Sequence, residues 1–171
     1  PLPNVNAGSN QQLCEGESVV LSGSGAITYQ WNNGITNGVS FMPQVGSTVY
    51  TVLGTDANGC SDSDQLTALV NELPFVYAGA DQQLCEGNTV VLSANGTGPF
   101  TWSSGIINGV SFIPNIGVSN YTVNITDNNG CTNSDQLVLT VYENPEVNAG
   151  TDQIICEGES VVLSASGANN Y

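Results

Sequence analysis

Apolar and polar residues alternate with a period of two along much of this chain, in short tracts cut by glycine-rich turns. The alternation is clearest in Ser18-Val19-Val20-Leu21-Ser22, in Tyr29-Gln30-Trp31, in residues 48–55 and in residues 66–70. Between these tracts stand Gly23 to Gly25, Asn33-Gly34, Asn37-Gly38 and Asn58-Gly59. Turn signals every eight to twelve residues and the lack of any 3.6-residue period predict an all-β chain.

The pattern then repeats itself. At an offset of 71 residues Cys14 falls on Cys85 and Cys156, Cys60 on Cys131, Trp31 on Trp102, and Pro3 on Pro74 and Pro145, with no gap. More than half of the positions in residues 3–73 are identical to those in 74–144. The sequence therefore divides into a first repeat (1–73), a second (74–144) and the incomplete N-terminal part of a third (145–171), whose final Tyr171 aligns with Tyr29 and Phe100. Such duplication is the signature of a serial array.

Comparing the two full copies identifies the inward face. Tyr50 and Val52 recur as Tyr121 and Val123, whereas Val49 and Leu53 become Asn120 and Asn124, so one face stays apolar while the other drifts. The same test puts Val19, Leu21, Trp31, Phe41, Leu66 and Val70 in one core, and Val90, Leu92, Trp102, Phe112, Leu137 and Val141 in another. A long final hairpin is expected in each copy, turning at Asp56-Ala57-Asn58-Gly59 and at Asp127-Asn128-Asn129-Gly130, where Asn-Gly supplies the positive φ of a tight turn. Strands of about ten residues at about 3.4 Å each make a unit roughly 35 to 40 Å long. With a linker as short as Asn71-Glu72-Leu73-Pro74 the units should stack end to end as a rod.

Charge narrows the functional classes. Fifteen Asp and Glu stand against no Lys, Arg or His, a formal net charge of -15. Such a surface repels phosphate backbones, which excludes nucleic acid as a partner. Without His, Lys or Arg there is no Ser-His-Asp or Cys-His couple, no Schiff-base lysine and no phosphate clamp; paired carboxylates are the one catalytic route left, and no enzyme is expected. No apolar run is long enough for a membrane-spanning helix, so no membrane insertion is expected in this segment. Pro1-Leu2-Pro3-Asn4 has neither the charged nor the apolar region of an export signal. The chain reads as a processed or excised piece whose signal and anchor lie elsewhere.

Five cysteines in fixed frame, with no C-x-x-C spacing and no His partner, point to disulfides rather than metal or redox catalysis. Two pairings are open. Within each repeat, Cys14 would join Cys60 and Cys85 would join Cys131, each stabilising its unit by roughly 4 kcal/mol in the chain-entropy model. This form is slightly favoured, but it brings together residues that an ordinary sandwich places at opposite ends. The staggered alternative joins Cys14 to Cys131 across the boundary between repeats. Cys156 is left over, because its copy stops before a second cysteine. Without lysine, Lys-Asn isopeptide staples are impossible.

No cofactor is required, although Asp56, Asn58, Asp62 and Asp64, repeated in part as Asp127, Asn129 and Asp135, offer oxygen donors at a spacing that could hold calcium. Their bland role is to build turns and edge strands. Asn95-Gly96-Thr97 and Asn124-Ile125-Thr126 match the N-glycosylation sequon, a match that arises readily in an Asn- and Thr-rich chain. Trp31 and Trp102 could stack on sugars, but a single Trp on the third strand is the usual core anchor of a sandwich.

Ala7-Gly8-Ser9-Asn10-Gln11, Leu13-Cys14-Glu15-Gly16, Tyr29-Gln30-Trp31, Tyr50-Thr51-Val52 and residues 55–60 recur through nearly the whole chain. Together they resemble the polycystic-kidney-disease-like (PKD-like) and immunoglobulin-like repeats of large surface proteins in Bacteroidota, the group that includes the SprB-type gliding adhesins. PKD repeats continue Asp-Phe-Gly-Asp-Gly after the tryptophan; here Asn32-Asn33-Gly34 and Ser103-Ser104-Gly105 follow, which favours the immunoglobulin-like branch. The resemblance implies tandem immunoglobulin-like β-sandwiches, secretion across the outer membrane and a cell-surface role in adhesion. The expected function is a stalk or spacer in an adhesin or extracellular filament, whose partners are neighbouring repeats. The alternatives are a module that binds surface glycans, an accessory unit beside an enzyme domain outside this segment, and a self-assembling fibre subunit completed by strands from another chain.

Overall fold

The computed structural model describes residues 1–168, so the alignment of Tyr171 lies outside the described residues. The first repeat contributes β1 (Gln11–Cys14), β2 (Val19–Val20), β3 (Thr28–Trp31), β4 (Ser40–Phe41), β5 (Gly46–Thr55) and β6 (Ser61–Asn71). One sheet runs β1-β6-β5-β3, with β1 parallel to β6 and the other pairs antiparallel. Facing it, β2 pairs antiparallel with β4, extended by a bridge between Asn6 and Ser24. Two layers over one core, with the first strand parallel to the last, make an immunoglobulin-like sandwich.

The second repeat reproduces this arrangement with β7 (Val76–Tyr77), β8 (Gln82–Cys85), β9 (Val90–Val91), β10 (Asn95–Gly96), β11 (Phe100–Trp102), β12 (Ser111–Phe112), β13 (Gly117–Thr126) and β14 (Thr132–Tyr142). Its larger sheet runs β11-β13-β14-β8; β9–β12 and β7–β10 form the opposing layer. The expected hairpins are the β5–β6 and β13–β14 pairs, each in register over its whole length, from Gly46 opposite Val70 to Thr55 opposite Ser61 in the first.

The two cores share no residue. Val5, Ala7, Val19, Leu21, Trp31, Tyr50, Val52, Leu66 and Ala68 close one; residues from Val76 to Val141, Trp102 among them, close the other. The inward face read from the drifting positions is the buried one. Phe41 and Phe112 differ from the expectation of full burial: each is half-buried at the margin of its core, meeting Tyr50 or Tyr121 edge to face at 5.5 and 5.8 Å. They lie on β4 and β12, strands of only two residues each.

Trp31 and Trp102 are 5% and 4% exposed and serve as core anchors, which overturns the sugar-platform reading. Burial obliges each indole N–H to find an acceptor. Trp31 Nε1 donates to Asn37 Oδ1 at 3.0 Å, and the same oxygen takes the Gly23 N–H at 2.7 Å. Asn108 does the same for Trp102 and the Ala94 N–H. Replacing Asn37 by Ala leaves two donors without a partner and should cost about 1–3 kcal/mol in urea unfolding of the first repeat. Asn37→Asp, which keeps the acceptors, should cost less.

A second long-range clamp ties the entry segment to the last strand. The Ala7 N–H donates to Asp64 Oδ2 at 2.8 Å, as Ala78 does to Asp135. The backbone N–H groups of Ala7 and Gln65 hold the Asp64 carboxyl below its ordinary value of 3.8. A lowered folded-state pKa stabilises the fold above the unfolded-state value, and that contribution is lost as pH falls through the folded value. Acid unfolding of the first repeat should therefore begin at higher pH in Asp64→Ala than in the parent, a shift that circular dichroism against pH will read.

Residues 145–168 form no strand, yet the bridge from Asn148 to Ser166 copies the one from Asn6 to Ser24. Gly25 explains the shared geometry: its φ is +88°, and a Cβ there would run into the Asn4 carbonyl. Gly167, at φ +99°, meets Glu146 in the same way. The third copy thus folds its first turn without the strands that would bury Val161 and Leu163, counterparts of the buried Val19 and Leu21.

Candidate functional site

The most informative chemistry lies where the two repeats meet. Strand β1 ends at Cys14, which stands opposite Asn71, the last residue of β6. The Glu15 N–H returns to the Asn71 carbonyl at 2.8 Å, and Asn71 Nδ2 donates to the Leu13 carbonyl at 3.2 Å. Cys14 is thereby fixed at the end of the unit from which the chain leaves.

Cys131 sits at the opposite end of its own unit, between the β13–β14 turn and Thr132. Asp127 builds that tip: its Oδ1 accepts the N–H groups of Asn129 and Cys131, both at 2.8 Å. Beside it Asn133 Nδ2 donates to the Pro74 carbonyl at 2.9 Å, holding the incoming chain against the tip.

The exit end of the first repeat therefore meets the entry end of the second, and Cys14 and Cys131 form a disulfide with Cα atoms 5.5 Å apart, spanning 117 residues of sequence. The bonded Cys131 is fully buried. This corrects the slight preference for pairing within a repeat. Cys60 precedes Ser61 at the start of β6, whereas Cys14 lies beside its end, so eleven strand residues, about 35 Å, separate them. A bridge needs Cα atoms within about 7 Å. Cys131 and Cys85 stand in the same relation along β14.

Cys60, Cys85 and Cys156 are free thiols; Cys60 is partly covered, the other two exposed. Cys60 occupies a tip built like that of Cys131, with Asp56 Oδ1 accepting from Asn58 and Cys60 at 2.8 and 2.9 Å.

The calcium candidates are not gathered. Asp56 and Asp127 spend an oxygen on their own turns, Asp62 Oδ1 accepts the Ser63 N–H, and Asp64 and Asp135 clamp the entry strands. Among the described residues no group of three or more His, Cys, Asp or Glu side chains is placed to hold a metal. Of the exposed aromatics, Tyr142 Oη donates to Gln83 Oε1 at 3.3 Å, while Tyr77 and Phe75 lie near the joint.

Sequence reasoning missed the parallel strand β1, the clamp made by Asp64, which it had read as a calcium candidate, and the acceptor role of Asn37. The signal for all three was their recurrence, as residues 82–85, Asp135 and Asn108, at positions where an exposed residue is free to drift.

No family model and no curated protein matches the chain. Among solved structures, it is similar to the N-terminal eight immunoglobulin domains of the Down syndrome cell adhesion molecule (17% identity, 96% of this chain and 32% of that chain, TM-score 0.40). Further similar structures are fibronectin(III)-like modules of Clostridium thermocellum CbhA (12%, 81% and 94%, 0.36) and the titin domains z1z2 in complex with telethonin (14%, 84% and 95%, 0.32). At these values the fold assignment rests on the strand topology itself.

Proposed function

We propose that this chain is a non-catalytic, extracellular spacer: a row of immunoglobulin-like units, 1–73, 74–144 and a third beginning at 145, that holds an adhesive element away from a surface. The observation that carries the reading is the Cys14–Cys131 bond, which ties one unit to the next rather than closing a unit on itself. A bond of that kind limits bending at the joint. It also supports an oxidising compartment, where structural disulfides persist. A chain with no Lys or Arg offers trypsin no cleavage site, which suits an exposed stalk. The likeness to Bacteroidota surface repeats supports attachment to a bacterial cell surface after secretion across the outer membrane, and a part in adhesion or gliding.

The glycan-binding alternative loses its best platforms, because both tryptophans are core residues. The alternative of a fibre subunit completed by a neighbouring chain rests on the third copy, where Val161 and Leu163 are exposed, and does not extend to the complete repeats. The first-turn residues of both complete repeats, Val5 and Ala7 or Val76 and Ala78, already fill their own cores.

Imaging of the purified chain with its free thiols alkylated tests the reading. Short isolated rods of two units, about 70–80 Å long, are expected from the strand rise. Long helical polymers under the same conditions would overturn it.

A further inference from the structure

We infer that Cys85 and the cleft beside it form a receiving seat for the hairpin tip of a further unit of this same type, and that the Cys60 tip has the matching build. The inference rests on the spacer reading and extends it to a partner.

The first joint shows both halves of the bond closed. The exit half is a cysteine at the end of a short strand, parallel to the last strand of the unit. Cys14 stands opposite Asn71; Cys85 stands opposite Tyr142 in the identical register. The Glu15 N–H bonds back to Asn71 O, and the Glu86 N–H to Tyr142 O, both at 2.8 Å. The entry half is a tip in which an aspartate side chain bonds the cysteine N–H. That tip is present at Cys131, where it is bonded, and at Cys60, where it is free.

The space for a tip is also present. A cleft of about 560 Å³ lies beside Cys85, lined by Glu86, Ile116, Glu143, Asn144, Pro145 and Glu146. These are the counterparts of Glu15, Val45, Glu72, Leu73, Pro74 and Phe75 at the joint where the Cys131 tip is seated. Asn144 Nδ2 holds the Glu86 carbonyl at 3.1 Å, keeping the cleft wall in place.

Closing the bond removes one hydrogen from each of the Cys85 and Cys60 thiols, with two electrons passing to an external disulfide such as oxidised glutathione, which leaves as two thiols. One thiolate opens the glutathione disulfide to a mixed disulfide, and the partner thiolate then displaces the second glutathione. The carboxylates around Cys85 and the net charge of each chain repel both glutathione and a second copy, so the reaction needs salt.

The experiment uses the chain itself as the probe, incubated with oxidised glutathione at high ionic strength, cleaved at acidic residues without reduction and mapped by mass spectrometry. Cys156 is the internal control, since it is exposed but lacks the last strand that builds a seat. Intermolecular Cys60–Cys85 peptides should exceed Cys60–Cys156 peptides by roughly tenfold or more, because docking raises the local concentration of one thiol at the other. Cys85→Ser should abolish the linked species, and reduction should return single chains. A chain ending at Glu146, which keeps all six residues that line the cleft, is run beside the full one. In that shorter chain the comparison is with Cys60–Cys60 and Cys85–Cys85 pairs. Statistical pairing in both chains would overturn the seat while leaving the spacer reading, which rests on Cys14–Cys131, untouched.

Discussion

Replacing Cys14 by Ser lowers the stability of both repeats and separates their unfolding. When the second repeat unfolds on a folded first, the bond closes a loop running from the fixed end beside Asn71 to Cys131, about 60 residues, worth about 4 kcal/mol in the chain-entropy model. The first repeat gains by the same reasoning, because Pro74 is held beside the tip that carries Cys131. When both unfold together, the 117-residue separation corresponds to about 5 kcal/mol. A sandwich of this size buries a modest core, so a loss of this order is a large fraction of its total stability. Urea titration of the oxidised parent should show a late, steep transition. Cys14→Ser, and the parent in reductant, should show earlier transitions with smaller m-values. A parent curve unchanged by reductant would contradict the cross-joint bond.

Trp102→Ala should cost about 3–5 kcal/mol, the range for emptying the site of a large buried aromatic side chain. With the Cys14–Cys131 bond reduced, the loss falls on the second repeat alone, because no residue belongs to both cores. It also strands Asn108 and the Ala94 N–H around a cavity. The chain has two tryptophans, one per repeat, so each variant leaves a reporter in the other unit. In Trp102→Ala with reductant present, the emission of Trp31 should stay that of a buried indole until the first repeat itself melts. Simultaneous exposure of Trp31 at low urea would mean one fused core.

Much of this was legible in the residues because a period of two and a duplicated frame constrain the same positions twice. Tyr50 and Val52 kept their character in Tyr121 and Val123 while their neighbours drifted, and the structure buries all four. The long hairpins were legible for the same reason, each closing on an Asn-Gly turn. Strand β1 was not, because Gln11-Gln12-Leu13-Cys14 is half polar and lies on a sheet edge, where one side faces solvent. The opposing layer was faint because its strands are two residues long and carry too few positions for a period to show.

The cysteine pairing was the hardest to read. Spacing alone suits a bond within a repeat, and what decides against it is a distance: β6 runs the whole length of the unit between Cys60 and Cys14. Sequence reveals that distance only once the last strand is known to be unbroken from residue 61 to 71. The carboxylates are a second case in which spacing along the chain is not enough. Asp56, Asp62 and Asp64 lie close in sequence, but each is engaged with a different backbone N–H, so a cluster in sequence is not one in space.

A covalent tie across the joint has a mechanical consequence that tests the central claim. With Cys14 bonded to Cys131, tension along the chain passes through the sulfurs, and residues 15–130 lie in a closed loop that cannot extend. Holding a single oxidised chain at residues 1 and 144 and stretching it should release neither sandwich to full length. Adding reductant should then free the loop, giving roughly 400 Å of new extension at about 3.5 Å per residue. Stepwise unfolding of both repeats to full length in the absence of reductant would contradict the account.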